Sequence, residues 1–335
     1  MSQLMSKDLT DRLAAWLSEQ EGTAVEVRGL SLSAAGARRT NALFEAVIEG
    51  EVRGLALTMI PYAAVQILDV AGEAAVRTLA EEHGVPSPHI HYVCRDESAL
   101  GGPFFISTAV AGETVPRRVL RLVHANGIGQ RVVAQLGEAM AQLHAIDPAK
   151  APEGVVPLSG DRPIEAALQA MEESIGLLLD PSPTFSYCLR WLERHRPSEP
   201  DRMTIIHSDI RTGNIIVGED GLRAILDWET TRIGDPIEDV AWGCQRMWRF
   251  REDEHTAFGM ADVETLRDAY SRGGGLWDED RFAWWRVLGT VRWGLGLAGQ
   301  ARQHLDGSFP SIVMAASGRR VPELEYDALL LVRPR

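Results

Sequence analysis

"IIHSDIRTGNIIVGEDGLRAILDWE", residues 205–229, sets His207, Asp209, Asn214 and Asp227 among apolar runs. "NIIV" and "RAIL" read as two short strands joined through "GEDG", a hairpin pattern. Asp220-Gly221 is a two-residue turn signal, because such turns want φ > 0 at their central positions. With that turn, Glu219 faces Leu222 and, counting outward, Asn214 faces Asp227. A non-hydrogen-bonded cross-strand pair has Cα atoms about 4.5 Å apart with side chains on one face. An amide oxygen and a carboxylate meeting there suit a hard divalent cation such as Mg²⁺. A four-residue loop over "GEDG" would shift the register and separate them.

The surrounding composition is that of a globular chain: 45% hydrophobic and 24% charged residues leave no room for wholesale disorder. A net charge of −13 argues against nucleic acid or an anionic membrane as partner. Cys94, Cys188 and Cys244 are widely spaced with no C-x-x-C pair, as expected of reduced thiols in the cytoplasm. "KDLTDRLAAWLSEQ" is charged throughout, unlike a signal peptide, and no apolar run reaches membrane-spanning length. A soluble cytoplasmic protein is expected.

Around the hairpin the chain changes character once. Residues 1–110 open with a helix whose face carries Leu9, Leu13, Trp16 and Leu17. Strands "AVEVRGLSLS", "NALFEAVIEG" and "VRGLALTMI" follow, then the helix "LDVAGEAAVRTLAEEHG" and strands "HIHYVC" and "PFFISTAV". Residues 111–335 are mainly helical, from "GIGQRVVAQLGEAMAQLHAID" to "DEDRFAWWRVLGTVRWGLGLAGQARQHL", with the hairpin set among them. The expected fold is α+β and bilobal, a small β-rich N-lobe before a larger helical C-lobe. His89 and His91 share a strand face without a third ligand, so a metal site is not expected there. Trp285, Leu288 and Arg292 recur at helical spacing and read as core and cleft wall.

His207-x-Asp209-x-x-x-x-Asn214, followed by a strand and Asp227, resembles the protein-kinase catalytic core. The fuller pattern adds Trp228, Glu229, Gly234, Asp235, Pro236 and Asp239, and resembles the aminoglycoside phosphotransferase family of kinase-like enzymes. "EAAVRTLAEEHGVPSP", "PFFISTAVAGE" and "MAQLHAID" extend the likeness beyond the core. "GRRVPELEYDALL" resembles the branch related to the kinase-like region of acyl-CoA dehydrogenase fusions.

The resemblance implies a protein-kinase-like fold, ATP and Mg²⁺ as cofactors, and phosphoryl transfer to a small-molecule hydroxyl. Asn214 and Asp227 are then the metal ligands, and Asp209 accepts or orients the acceptor's proton. ATP is expected between the lobes, its adenine against Ser107, Thr108, Ala109 and Val110. His207 supports the catalytic loop. Asp239 accepts backbone N–H groups of that loop or starts the helix carrying Trp242. Glu229 is either a contact behind the site or a surface charge.

One position departs from the family. Its third strand normally ends in a Lys or Arg that contacts phosphate and pairs with a Glu of the N-lobe helix. Glu73 is that Glu, but Thr58 stands where the cation belongs. A neutral residue there removes a charge-assisted phosphate contact. Arg38 or Arg39, in the turn "AAGARR", could supply the missing cation; otherwise the chain is a nucleotide-binding pseudokinase. Antibiotics, amino alcohols, sugars and hydroxyacyl compounds all remain open as acceptors. The acidic charge favours cationic ones, the dehydrogenase-like tail hydroxyacyl ones.

Overall fold

The computed structural model describes residues 3–32, 39–60, 68–158, 160–179 and 182–333, with the side chains of the first helix from Asp8 onward. Arg38 lies outside the described residues. The chain divides into two units. The first comprises residues 1–112 and two later returns of the chain, Ala151–Val155 and Arg223–Thr231; the second holds the rest. A single boundary at residue 110 misses both returns.

In the first unit, α1 (Gln3–Glu21) precedes β1 (Val25–Leu32), β2 (Thr40–Ile48) and β3 (Glu51–Met59). α2 (Val70–Glu82), β4 (Ile90–Cys94), α3 (Glu97–Leu100) and β5 (Phe104–Thr108) follow. The five strands make one antiparallel sheet in the order β1-β2-β3-β5-β4. Glu49 and Gly50 connect β2 to β3 with φ of 51° and 88°, the positive pair that a twisted two-residue hairpin demands. Alternation along the strands sends Phe44, Leu57, Phe104 and Ile106 into a core with Leu13 and Leu17 of α1. α2 packs Val70 and Ala74 into a second cluster with Ile60 and Phe105. Asp69 caps α2, its side chain accepting the Gly72 N–H at 2.6 Å. This cap fixes the direction of the helix that carries Glu73.

The second unit begins with α4 (Pro116–Ala125), α5 (Gly129–Ala145), α6 (Pro163–Leu178) and α7 (Pro183–Arg194). Next come β6 (Thr204–Ile206), β7 (Ile215–Gly218), β8 (Gly221–Ile225) and β9 (Arg232–Gly234), with the unit boundary inside β8. α8 (Pro236–Trp242), α9 (Val263–Arg272), α10 (Glu279–Leu305), α11 (Ile312–Ser317) and α12 (Val321–Val332) complete it. α5 and α9 approach closely at Gly137, where a Cβ would stand 2.9 Å from the Leu266 carbonyl. α10 runs through the unit with Trp284, Trp285, Leu288 and Leu295 buried. Its Trp284 Nε1–H donates to the Leu192 carbonyl of α7 at 3.0 Å. β6 pairs antiparallel with β9, which sets the chain direction at His207.

The hairpin exists as a two-stranded sheet, but its turn residues are Glu219 and Asp220, not Asp220 and Gly221. Gly221 already opens β8, with φ +125°. The counting that set Asn214 opposite Asp227 therefore does not hold as drawn. Asp227 lies past the strand end in the left-handed region, at φ 60° and ψ 62°. Its unit is the first, whereas Asn214 belongs to the second.

Candidate active site

In the helical unit, the loop from His207 to Asn214 is held by one buried carboxylate. Asp239, on α8, accepts the His207 N–H at 2.7 Å and the Ser208 N–H as well. His144 of α5 approaches the same carboxylate through Nε2 at 3.1 Å, and its Nδ1 meets the Tyr270 hydroxyl at 2.9 Å. Burial pushes the Asp239 carboxyl up, but the His144 bond, the charges of His144 and His207 and the loop amide pull it below the usual carboxylate range. Burial raises the Tyr270 phenol, with Asp239 and Asp235 adding to the effect. The residue that caps α8 is Asp235, which accepts the Ile237 N–H at 3.0 Å and the Trp285 indole N–H at 2.8 Å. Asp239 is thus the loop's anchor, and Asp235 starts the helix.

That anchoring shapes the loop. Ser208 takes φ +66°, uncommon for a side-chain-bearing residue and held here by its bond to Asp239. His207 is fully buried, and its Nδ1 accepts the Asp209 N–H at 3.2 Å. Thr212, also fully buried, shares its hydroxyl between the Trp248 and Phe258 carbonyls, each at 2.9 Å. Between these fixed points Asp209 keeps a side chain 25% exposed.

Three donors reach that carboxylate. Trp242 Nε1–H donates at 2.7 Å, Arg211 Nε–H at 3.1 and 3.2 Å, and Asn214 Nδ2–H at 2.6 Å. Asn214 Nδ2 also donates to the Asp209 carbonyl at 3.0 Å, so both of these bonds use its nitrogen and Oδ1 remains for a cation. Arg211 lies over the Trp248 ring, 4.7 Å from its centroid. The roles of Arg211 and Trp242 at Asp209 were not read from the sequence. Arg211 had a signal, a cation two residues from a candidate catalytic Asp; for Trp242, thirty-three positions away, no pattern pointed to the contact.

In the β-rich unit, Arg39 lies just before β2. Its guanidinium is 2.8 Å from Glu73 of α2 and 2.6 Å from Glu229, with Arg39 only 8% and Glu73 1% exposed. Burial lowers the Arg39 pKa, but Glu73, Glu229 and Asp227 outweigh it and raise the value. Glu229 is raised, by burial first and then by its acidic neighbours against the pull of Arg39. Glu229 is therefore a partner of Arg39 and still partly open to solvent, its side chain 43% exposed. Thr58 sits on β3 opposite Asn41 of β2 and Phe105 of β5.

Of the residues expected to face adenine, Ser107 and Thr108 pair within the sheet. The Thr108 N–H donates to His89 at 2.8 Å and the Ala109 N–H to Gly54 at 3.0 Å. Val110, beyond β5, is the position of the four outside these bonds. His89 and His91 pack edge to face, bonded to Glu81 and Thr108. Among the described residues no group of three or more His, Cys, Asp or Glu is placed to hold a metal, and no helix is long and apolar enough to cross a membrane.

Known proteins resemble this chain in sequence and in fold. Mouse acyl-CoA dehydrogenase family member 10 is 24% identical over 263 residues, covering 73% of this chain and 24% of its own length. The chain thus spans about a quarter of the curated relatives it matches. In fold, a candidate aminoglycoside phosphotransferase from Ralstonia eutropha superposes with a TM-score of 0.72 at 21% identity, over 96% of this chain and 97% of that one. A thermostable mutant of an aminoglycoside phosphotransferase, in ternary complex with ADP and hygromycin B, gives 0.60 at 18% identity, over 94% and 98%. The profile of the phosphotransferase enzyme family matches residues 35–285, the stretch that holds Arg39, Glu73, Asp209, Asn214, Asp227 and Asp239, and the chain belongs to that family.

Proposed function

We propose that this protein transfers the γ-phosphate of ATP to a hydroxyl of a small molecule, with Asp209 accepting or orienting the hydroxyl proton. The observation that carries this reading is the Asp209 carboxylate, oriented by Trp242, Arg211 and Asn214 on a loop tied to buried Asp239. Phosphoryl transfer asks little covalent chemistry of a protein; it needs an oriented acceptor and neutralised phosphate charge. Arg211, beside Asp209, is suited to the second task. Asn214 and Asp227 offer the hard oxygens that would hold Mg²⁺, which when bound offsets charge on the phosphates. The solved neighbour with ADP and hygromycin B supports a nucleotide donor and a small acceptor.

Arg39 takes the place of the cation that β3 lacks at Thr58. It already makes the ion pair with Glu73 that the family's third-strand cation makes, reaching it from the start of β2. The second reading, a nucleotide-binding protein without catalysis, rests on Thr58 alone. Acceptor-dependent ADP release from Mg-ATP across a panel of hydroxyl compounds separates the two. Turnover lost in Asp209→Asn supports the enzyme; nucleotide binding without turnover on any acceptor supports the alternative.

A further inference from the structure

The helical unit holds a cavity of about 700 Å³ that shares no residue with the catalytic loop. It is lined by α7, the first half of α10 and the end of α12. Four arginines, Arg190, Arg194, Arg286 and Arg333, line it among apolar residues and beside His195. Among the described residues, none of these four arginines is in an ion pair, although the chain carries 47 acidic residues against 34 basic ones. Trp191 stacks on His195 at 4.2 Å and 16°, giving the cavity a flat aromatic wall.

Two of the cations need no ligand. Arg194 is in the last turn of α7 and Arg333 caps α12, where helix carbonyls favour positive charge. Arg286 has no such support. It lies within α10, its Nε–H is sealed from solvent without an acceptor, and its ring contact is the face of Phe282 at 5.7 Å. Burial pushes its pKa down, and the attraction of Cys244 and Glu279 does not restore it. A guanidinium does not escape the penalty by losing its proton. Arg286 is partly buried and its Nε–H has no acceptor, so an anion placed against it would supply what the protein does not.

We infer that this cavity binds a multivalent phosphate-bearing small molecule, held by Arg286 together with Arg190, Arg194 and Arg333. Guanidinium forks match phosphate oxygens in pairs, and four of them suit a ligand with several negative charges. The volume is that of an ordinary small-molecule site.

Inorganic pyrophosphate, titrated calorimetrically into the whole protein without Mg²⁺, is the probe. The parent should bind with a Kd below about 1 mM, and Arg190→Ala/Arg194→Ala, on an exposed helix face, should bind at least tenfold more weakly. Arg286→Met should abolish binding and raise the Tm of the free protein, because an apolar chain of similar length replaces an uncompensated charge. No binding by the parent, unchanged affinity in the double variant, or a lower Tm for Arg286→Met overturns the inference. So does binding that is lost in Arg39→Ala and kept in the double variant, which would assign the anion to the nucleotide site.

Discussion

Asp209 and Arg39 are positioned by different physics. Asp209 stands in a short loop fixed by hydrogen bonds of defined direction, from Trp242, Arg211 and Asn214 in front and Asp239 behind. Arg39 stands in a cluster of opposite charges, with Glu73 and Glu229 against one guanidinium and Asp227 adding its field. Directional bonds fix an atom to tenths of an ångström; a charge cluster fixes a sum and tolerates rearrangement. The loop from His207 to Asn214 should therefore fail sharply when one partner is removed, and the Arg39 cluster by degrees.

The largest expected effect is at Asp209. Asp209→Asn should lower kcat by about 10²–10⁴-fold and leave Mg-ATP affinity nearly intact. Asp227→Asn should do the opposite, weakening nucleotide binding. Steady-state kinetics beside nucleotide titration gives both numbers, and a reversed pattern would exchange the two assignments.

Asp239 comes next. Asp239→Ala leaves two loop amides and His144 without their acceptor, and should cost about 3–5 kcal/mol in denaturant unfolding. The pH dependence follows from its depressed pKa: the stabilisation is full above the unfolded value near 4 and is lost as pH falls through the lower folded value. Asp239→Asn should flatten that acid limb of the stability curve. An unchanged limb would mean the loop is held by something else.

Arg39→Ala should weaken Mg-ATP binding by about tenfold or more, the worth of roughly 1.5–3 kcal/mol for a charge-assisted bond. Thr58→Lys in that background should recover part of the loss by restoring a third-strand cation. Parent-like affinity in Arg39→Ala would remove it from the nucleotide site. The mildest change is Trp242→Phe, which keeps the ring and deletes the N–H on Asp209. A fall in kcat of about tenfold, with KM for ATP constant, is the expected outcome. Equal loss in Trp242→Phe and Asp209→Asn would show a loop with no tolerance at all.

The same contrast explains what could be read before the fold was known. His207, Asp209 and Asn214 lie within eight residues, so chain order alone kept them together, and Asp239 followed by its place in "DPIEDVAW". The strands of the five-stranded sheet and of the hairpin, and most helices, were legible from alternation and helical spacing; the three-residue strands β6 and β9, and α4 with its basic "PRRVLRLVHA", were not. The hairpin turn slipped by one because Glu219 and Asp220 make the turn themselves and leave Gly221 to the strand. Arg39 could be named as a replacement cation only because Thr58 was neutral. Its pairing with both Glu73 and Glu229 joins positions 34 and 190 residues away, which no local pattern encodes. The Trp242 contact and the arginines around Arg286 are products of packing between helices distant in sequence.

The β-rich unit also has an order of assembly written into it. Its segment Arg223–Thr231 belongs to the sheet-bearing unit in space but to the later chain in synthesis. Arg39 and Glu73 leave the ribosome well before Glu229 does, by roughly 10–30 s at about 5–20 residues per second. During that interval the guanidinium has one counter-charge and not two. The nascent first unit must wait, incomplete, for a strip of chain that arrives only after the loop carrying Asp209 has been made.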